Sequence, residues 1–415
     1  MIPEAIGGIL IAGGLIQLGL VTAGNFRRLI GQSRQANVTL ELLETELETM
    51  RDLRRRKAES GLPWNGWRKF IVAKKVMECT DICSFYLAPH DKKSLPDFLT
   101  GQYLTFRIDV PGQNKPVVRC YSLSDSPRRD AYRITIKRIQ PRDKDTPPGL
   151  VSSFFHDHLN EGDILDVKAP SGQFCLDPAG GGVVLIGCGI GVTPVLSMLN
   201  TLVTQGSRRD IWFFNGVRNR AEHVMKEHLE TIARENPNVY LHVCASKPDR
   251  DYELGRDYQH EGRISIELLK ELLPSSNFDF YLCGPGPMMR EVTEGLKEWG
   301  VPETNIHYET FGPSSVKKIA AVVAPGAAVP TGFAIQFKKS GKTLHWCGDH
   351  TSILDLAEAN GISIPSGCRA GSCGTCQVAV FSGEIDYIDK SDFETDHGTR
   401  LTCIGAPKSD LVLDA

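Results

Sequence analysis

The 415-residue chain carries 47 Lys and Arg against 50 Asp and Glu, a formal charge of −3, so a nucleic-acid-binding role has no electrostatic footing. Its length suits two to four domains that each bury a core. The 12 cysteines are a raised count, yet most stand singly in apolar segments, which speaks for a reducing compartment rather than a disulfide-stapled secreted scaffold.

Residues 5–24, AIGGILIAGGLIQLGLVTAG, are uncharged over 20 positions. A helix of that length spans about 30 Å, the thickness of a bilayer core. No basic segment precedes it, unlike a cleaved signal peptide. Arg27, Arg28 and Arg34 follow, so the positive-inside rule leaves the rest of the chain in the cytoplasm. Its glycines lower its hydrophobicity and let helices approach closely; the rival reading is a glycine-rich buried or surface helix. A second helix is expected over 38–58. Leu40, Leu43, Leu47 and Met50 fall at heptad spacing, and Arg54–Lys57 close it with basic charge. That pattern suits a short stalk over an anionic membrane surface, open to self-association. Residues 1–62 are thus expected to be a transmembrane helix and stalk in contact with lipid.

Residues 63–178 read as a small antiparallel β-barrel of short alternating strands, such as YLTFRIDV and YRITIKRI. RCYSLSDSP, from Arg119, groups an arginine, a tyrosine and hydroxyls that could serve a phosphate and a stacked ring; taken alone, it is equally an ordinary strand. PPGLVSSFFHDHL places Gly149, Ser152 and Ser153 before an apolar helix, where free N–H groups make an anion site. His156 and His158 read as surface histidines of that helix.

From 179 to 313 the rhythm changes. VVLIG, DIWFFNG, VYLHVCA and FDFYLCG are short apolar runs separated by helical segments. That alternation predicts an α/β doubly wound parallel sheet. GCGIGVTP, residues 187–194, follows the first run and opens a helix, with Thr193 as N-cap and Pro194 at N1. A glycine loop in that context suits a pyrophosphate. Cys188 and Cys244 read as core cysteines. Glu222 is the acid near the second strand, with Arg218 and Arg220 beside it. Residues 314–331, rich in Pro, Ala and Gly, read as a linker.

The last unit, 332–415, shows strands near 333–346 and a helix from Ser352, where Ser352 and Asp355 suit a capping box. GCRAGSCGTC then brings three cysteines into one loop. Cys368, Cys373 and Cys376 have C-x4-C-x2-C spacing, with Cys403 further on in LTCIG. Four thiolates at these spacings match the plant-type 2Fe–2S ligand pattern. Gly367, Gly371 and Gly374 permit the tight backbone such a loop needs, and Ser372 and Thr375 can donate toward sulfur. Zinc is the first rival, but its sites usually pair two short-spaced couples. A thioredoxin-like dithiol would leave Cys368 and Cys403 without a role. Between Glu384 and Asp396 the chain carries Glu384, Asp386, Asp389, Asp392, Glu394 and Asp396 against Lys390. This acidic run is either a solvated loop or a docking face for a basic partner.

PSGCRAGSCGTCQ resembles the plant-type ferredoxins, which implies a β-grasp domain and a one-electron carrier. Over about 66–313, the motifs GQY, RCYSLSDSP, YRITIKR, GLVSSFFHD, GCGIGVTP, YLCGPGPMM and HYETFGP occur in the order of the ferredoxin–NADP reductase-like superfamily. The match is to the reductase portion of flavohaemoglobins and to oxygenase reductases. By that resemblance Arg119 would contact flavin phosphates, Tyr121 would pack on the isoalloxazine, and Ser122 would bond near N5. Tyr103, the loop of Gly149, Val151 and Ser152, and the Phe311–Gly312–Pro313 turn would complete the flavin site. Gly187, Gly189, Gly191 and Thr193 would hold the pyridine nucleotide. Cys283, Gly284 and Pro285 would lie by the nicotinamide, and Glu309 near the reacting rings. Ser122, Cys283 and Glu309 are the residues expected at the reacting centre.

The domain order resembles phthalate dioxygenase reductase-type proteins, several of which use FMN. The GLVSS loop is more like the FAD-binding members, so FAD is expected, with FMN second. No globin precedes the barrel, so haem chemistry is not expected. The implied path runs from NADH, with NADPH second, through flavin and cluster to an external acceptor such as an oxygenase, hydroxylase or desaturase. A quinone-reducing or membrane-complex subunit, and a non-catalytic redox-sensing module, are the alternatives.

Overall fold

The structure is a computed structural model. It describes Trp64 and residues 66–141, 147–309, 311, 332–348, 350–369, 371, 373–388, 391, 393 and 395–415. The expected spanning helix at 5–24, the stalk at 38–58 and the linker at 314–331 lie outside the described residues. No helix among the described residues is long and apolar enough to cross a membrane.

Six antiparallel strands form the first sheet: β1 (Arg68–Cys79), β2 (Ile82–Pro89), β3 (Tyr103–Ile108), β4 (Val117–Ser122), β5 (Tyr132–Lys137) and β6 (Ile164–Val167). Their order is β4-β3-β6-β1-β2-β5. Beyond β4 the chain bridges Leu123 to Ile134 and Ser124 N–H to the Arg133 carbonyl. This joins the two edge strands and closes the barrel, removing its free edges. Phe70, Phe85, Leu104, Phe106 and Ile134 fill the interior. Helix α1 (Leu150–Asp157) caps it with Phe155, whose ring meets Phe85 edge-on at 5.3 Å.

The second sheet is parallel, in the order β10-β9-β8-β7-β11-β12. Its strands are β7 (Val183–Cys188), β8 (Ile211–Val217), β9 (Val239–Ala245), β10 (His260–Glu261), β11 (Asp279–Cys283) and β12 (Ile306–Glu309). Strand residues alternate between two cores, as period-2 geometry requires. Val183, Leu185 and Phe213 pack under α2 (Val192–Thr204) and α3 (Lys226–Glu235). Val184, Ile186 and Phe214 face α4 (Ile266–Leu272) and α5 (Gly286–Glu298). From β7 the strand order runs outward both ways, so the loop after β7 sits at a topological switch point.

Barrel and parallel sheet meet through buried polar groups. The Asp125 carbonyl accepts from Ser197 Oγ at 2.6 Å, and its Oδ1 from Asn200 Nδ2 at 2.8 Å. Arg133 lies 3.5 Å from Asp125 Oδ2. Asp177 N–H, in the connection, donates to the Tyr281 hydroxyl at 3.0 Å.

The third sheet is mixed, in the order β14-β13-β19-β15-β17. It comprises β13 (Phe333–Phe337), β14 (Lys342–Trp346), β15 (Gln377–Ser382), β17 (Thr399–Leu401) and β19 (Leu411–Leu413). The pair β16 (Ile385–Tyr387) and β18 (Gly405–Pro407) stands apart. One helix, α6 (Ile353–Ala359), packs Ile353, Leu354, Leu356 and Ala357 into the core with Ile335 and Phe337. Ser352 caps α6, its hydroxyl accepting from Asp355 N–H at 3.1 Å, as its position in the sequence predicts.

Candidate functional site

The expected flavin residues gather at one end of the barrel. Arg119, Tyr121 and Ser122 lie on β4, and Ser122 pairs with Tyr103 across β3. Tyr121 sets its ring edge-on against Phe155 at 5.3 Å, and burial pushes its hydroxyl well above its ordinary pKa. Arg119 is half-buried; desolvation lowers its pKa, and Nη1 donates to the Val118 carbonyl at 2.7 Å.

At the start of α1, Gly149 is the N-cap and offers no capping side chain, and the first turn carries no acid. Ser152 Oγ is turned inward, accepting from Ile139 N–H and donating to the Gly149 carbonyl, each at 3.1 Å. The opening N–H groups of α1 are therefore not capped by these side chains, a fit for the phosphates of a dinucleotide flavin. Val151 is buried beneath them. Phe311 packs against the core of the parallel sheet; Gly312 and Pro313 lie outside the described residues.

The glycine loop at the switch point forms as expected, with one correction. A 3₁₀ turn at Gly189–Gly191 precedes α2, whose N-cap is Gly191. Thr193 is therefore a second-position residue and not the cap; its hydroxyl donates to the Ile190 carbonyl at 2.9 Å. Pro194 consequently lies two places beyond the first helical position. A Cβ on Gly191 would fall 2.3 Å from the Cys283 carbonyl oxygen, so only glycine lets the loop close on the Cys283–Gly284–Pro285 turn. Gly187 lies one residue before the end of β7 beside it, and Gly189 takes φ +56° over open space, a cradle that a pyrophosphate can enter. Glu222 is held by Lys137 at 3.0 Å and by Arg218 at 3.5 Å.

Ser122, Cys283 and Glu309 are brought together from three strands. Cys283 and Glu309 are register partners on β11 and β12. Ser122 Oγ donates to Glu309 Oε2 at 3.3 Å. Burial pushes the Glu309 carboxyl up to about 8, and the nearby Cys368 adds to the shift. Cys283 is fully buried, which raises its thiol well above the ordinary range and keeps it uncharged. Cys244 is a core cysteine and Cys188 packs beside the same core, as the sequence suggests. His156 differs from its expected surface role: it is half-buried, with Nε2 3.0 Å from the Ile136 carbonyl. Its apolar neighbours in the sequence masked that anchor to β5.

The cysteine loop divides its thiols into two pairs. The Cys368 N–H donates to Cys373 Sγ and the Cys373 N–H to Cys368 Sγ, each at 3.3 Å. Cys403 hydrogen-bonds Cys376, which lowers the Cys376 thiol and raises that of Cys403. Among the described residues no group of three His, Cys, Asp or Glu is arranged for a single metal ion. Two thiol pairs are instead the donor set that two irons require. Arg369, Gly371 and Gly374 all take positive φ, turning the loop tightly around the sulfurs. Cys373 Sγ also lies 3.2 Å from Thr375 Oγ1; Ser372 lies outside the described residues. Sequence reasoning overlooked Cys120, which β4 presents to this loop, because the partner lies some 250 positions along the chain and leaves no local signal.

Three family models match in succession: an oxidoreductase FAD-binding domain over residues 69–175, an oxidoreductase NAD-binding domain over 185–294, and a 2Fe-2S iron-sulfur cluster binding domain over 336–408. The flavohemoprotein of Halalkalibacterium halodurans is 41% identical over 252 residues, 60% of this chain and 61% of that protein. The chain thus spans about 61% of the length of the curated relatives it matches. The FAD/NAD-binding domain of the nitric oxide dioxygenase from Vibrio cholerae is 31% identical with a TM-score of 0.55, covering 60% of this chain and all of that one. Phthalate dioxygenase reductase is 27% identical with a TM-score of 0.52, covering 85% of this chain and 98% of that one.

Proposed function

Because the chain belongs to the ferredoxin reductase-type flavin oxidoreductases, with FAD-, NAD- and 2Fe–2S-binding domains in that order, we propose that it is a membrane-tethered reductase. It carries electrons from NADH through FAD and the cluster to a separate acceptor protein, an oxygenase, hydroxylase or desaturase. The observation that carries this reading is the contact between β4 and the cysteine loop. Gly367 lies against both Cys373 and Cys120, so the flavin-bearing strand abuts the thiols that would hold iron.

Bound flavin exchanges two electrons with the nicotinamide and single electrons with the cluster, chemistry that belongs to the cofactors. The chain's own part is to hold and orient. Arg119 and the start of α1 are suited to the flavin phosphates, and the Gly187–Gly191 loop to those of the nucleotide. Ser122 and Glu309 fix a hydrogen bond where the two rings would meet. The raised pKa of Glu309 keeps that spot uncharged near neutrality. Cys283, buried and neutral, gives the turn below the nicotinamide a closed apolar floor.

The likeness to phthalate dioxygenase reductase, 98% of which this chain covers, supports an oxygenase-type acceptor. The uncharged stretch at 5–24 supports a tether, with lipid as partner and the catalytic domains in the cytoplasm. Two measurements test the reading. Dithionite-reduced protein gives a rhombic S = 1/2 EPR signal that Cys376→Ala abolishes; a colourless protein with stoichiometric zinc would overturn it. Deleting residues 1–30 releases a soluble NADH-oxidising enzyme from the membrane fraction; retention in the pellet would refute a tether there.

A further inference from the structure

Cys120 stands on β4 between Arg119 and Tyr121. It pairs with Thr105 across β3, so the two side chains project from one face of the barrel wall. Cys120 Sγ lies 3.4 Å from Thr105 Oγ1. Its other neighbour arrives from the last domain. A Cβ placed on Gly367 would fall 3.0 Å from Cys373 Sγ and 3.3 Å from Cys120 Sγ. The bare Cα of Gly367 thus lets two sulfurs close on the same spot.

We infer that Cys120 is a positioning residue for electron transfer: its S–H donates to the sulfur of Cys373, tuning the cluster from the flavin-bearing strand. This rests on the 2Fe–2S reading of the cysteine loop. The direction of the bond follows from the chemistry of the pair. A thiol that ligates a metal has lost its proton, so the Cys373 sulfur can only accept. Either atom of the Thr105–Cys120 pair can donate; with the Thr105 hydroxyl as donor, the Cys120 proton is left for Cys373. A hydrogen bond to a ligand sulfur favours the more negatively charged, reduced cluster and raises its potential. The thiol therefore makes the cluster a better acceptor in the geometry in which it faces the flavin domain. Serine conserves the donor and alanine removes it, which separates this role from simple packing.

The test is an EPR-monitored redox titration of the full-length holoprotein, unsubstituted and as Cys120→Ala and Cys120→Ser. In Cys120→Ala the reduced-to-oxidised cluster ratio at a given ambient potential falls about fivefold, close to 40 mV at about 59 mV per tenfold. Cys120→Ser stays near the unsubstituted value. A rhombic signal in all three proteins with one common midpoint would overturn the inference and leave the cluster reading intact. Equal downward shifts in both variants would also overturn it, since they indicate lost packing rather than a lost donor. No cluster signal in the unsubstituted protein would overturn both.

Discussion

The Ser122 hydroxyl donates to Glu309 Oε2 at 3.3 Å, joining the last residue of β4 to the last residue of β12. One hydrogen bond thus links the barrel to the parallel sheet where flavin and nicotinamide would meet. Ser122→Ala removes it and leaves a buried carboxyl without this donor, at about 1 kcal/mol. Flavin bleaching by NADH in a stopped-flow instrument should slow about fivefold, with KM for NADH nearly unchanged. An unaltered rate would show that the bond only packs the two domains together.

Gly191 is fixed by the Cys283 carbonyl, 2.3 Å from where its Cβ would lie. Gly191→Ala overpacks that contact at about 1–3 kcal/mol and should raise KM for NADH about tenfold. Gly181 has open space around it, so Gly181→Ala is the matched control and should leave KM unchanged. Steady-state kinetics with ferricyanide compare the two directly.

His223 is buried, with Nδ1 2.6 Å from the Tyr252 hydroxyl. Burial first, and Lys226 next, push its pKa down to about 4. Because the folded value lies below the unfolded one near 6.5, His223 contributes stability that is present above about 6.5 and lost as pH falls toward about 4. Full protonation costs about 3 kcal/mol at about 1.36 kcal/mol per pH unit. Denaturant titrations of the nucleotide domain's transition should show stability falling across this window, and His223→Gln should flatten the slope. Parallel slopes for the two proteins would refute the assignment.

Glu384, Asp386 and Asp396 carry negative charge on the last domain, and Asp386 is exposed beside Lys408 at 3.1 Å. Asp389 and Asp392 lie outside the described residues. Reduction of a basic acceptor should slow about tenfold as salt rises to about 0.5 M, while flavin reduction by NADH changes little. Charge reversal at Asp389 and Asp392 should lower the second-order rate and flatten its salt dependence. No change in either quantity would leave the run a solvated surface.

The readable parts of this chain are those whose chemistry is local. Cys368, Cys373 and Cys376 announce a cluster by spacing alone, since one loop must supply three sulfurs. The doubly wound sheet is legible because β7, β8 and β11 are buried on both faces and read as unbroken apolar runs. Misreadings arise where the chain folds back on itself. Thr193 looks like a cap because a hydroxyl opens an apolar segment, but the 3₁₀ turn at Gly189–Gly191 begins the coil earlier. His156 looks exposed because its partner, the Ile136 carbonyl, is on another element. Cys120 is silent for the same reason, its partner being contributed by a different domain.

Asp125 has a wider consequence. Its carbonyl and carboxylate are gripped by Ser197 and Asn200 of α2, while Arg133 holds the same carboxylate from the barrel. Three side chains converging on one half-buried aspartate tie the barrel to the sheet at that point. The peptide from Asp177 to Gly182 then acts as a leash rather than a hinge. The interval between the barrel and the Gly187–Gly191 loop becomes a built-in gauge, machined by Asp125.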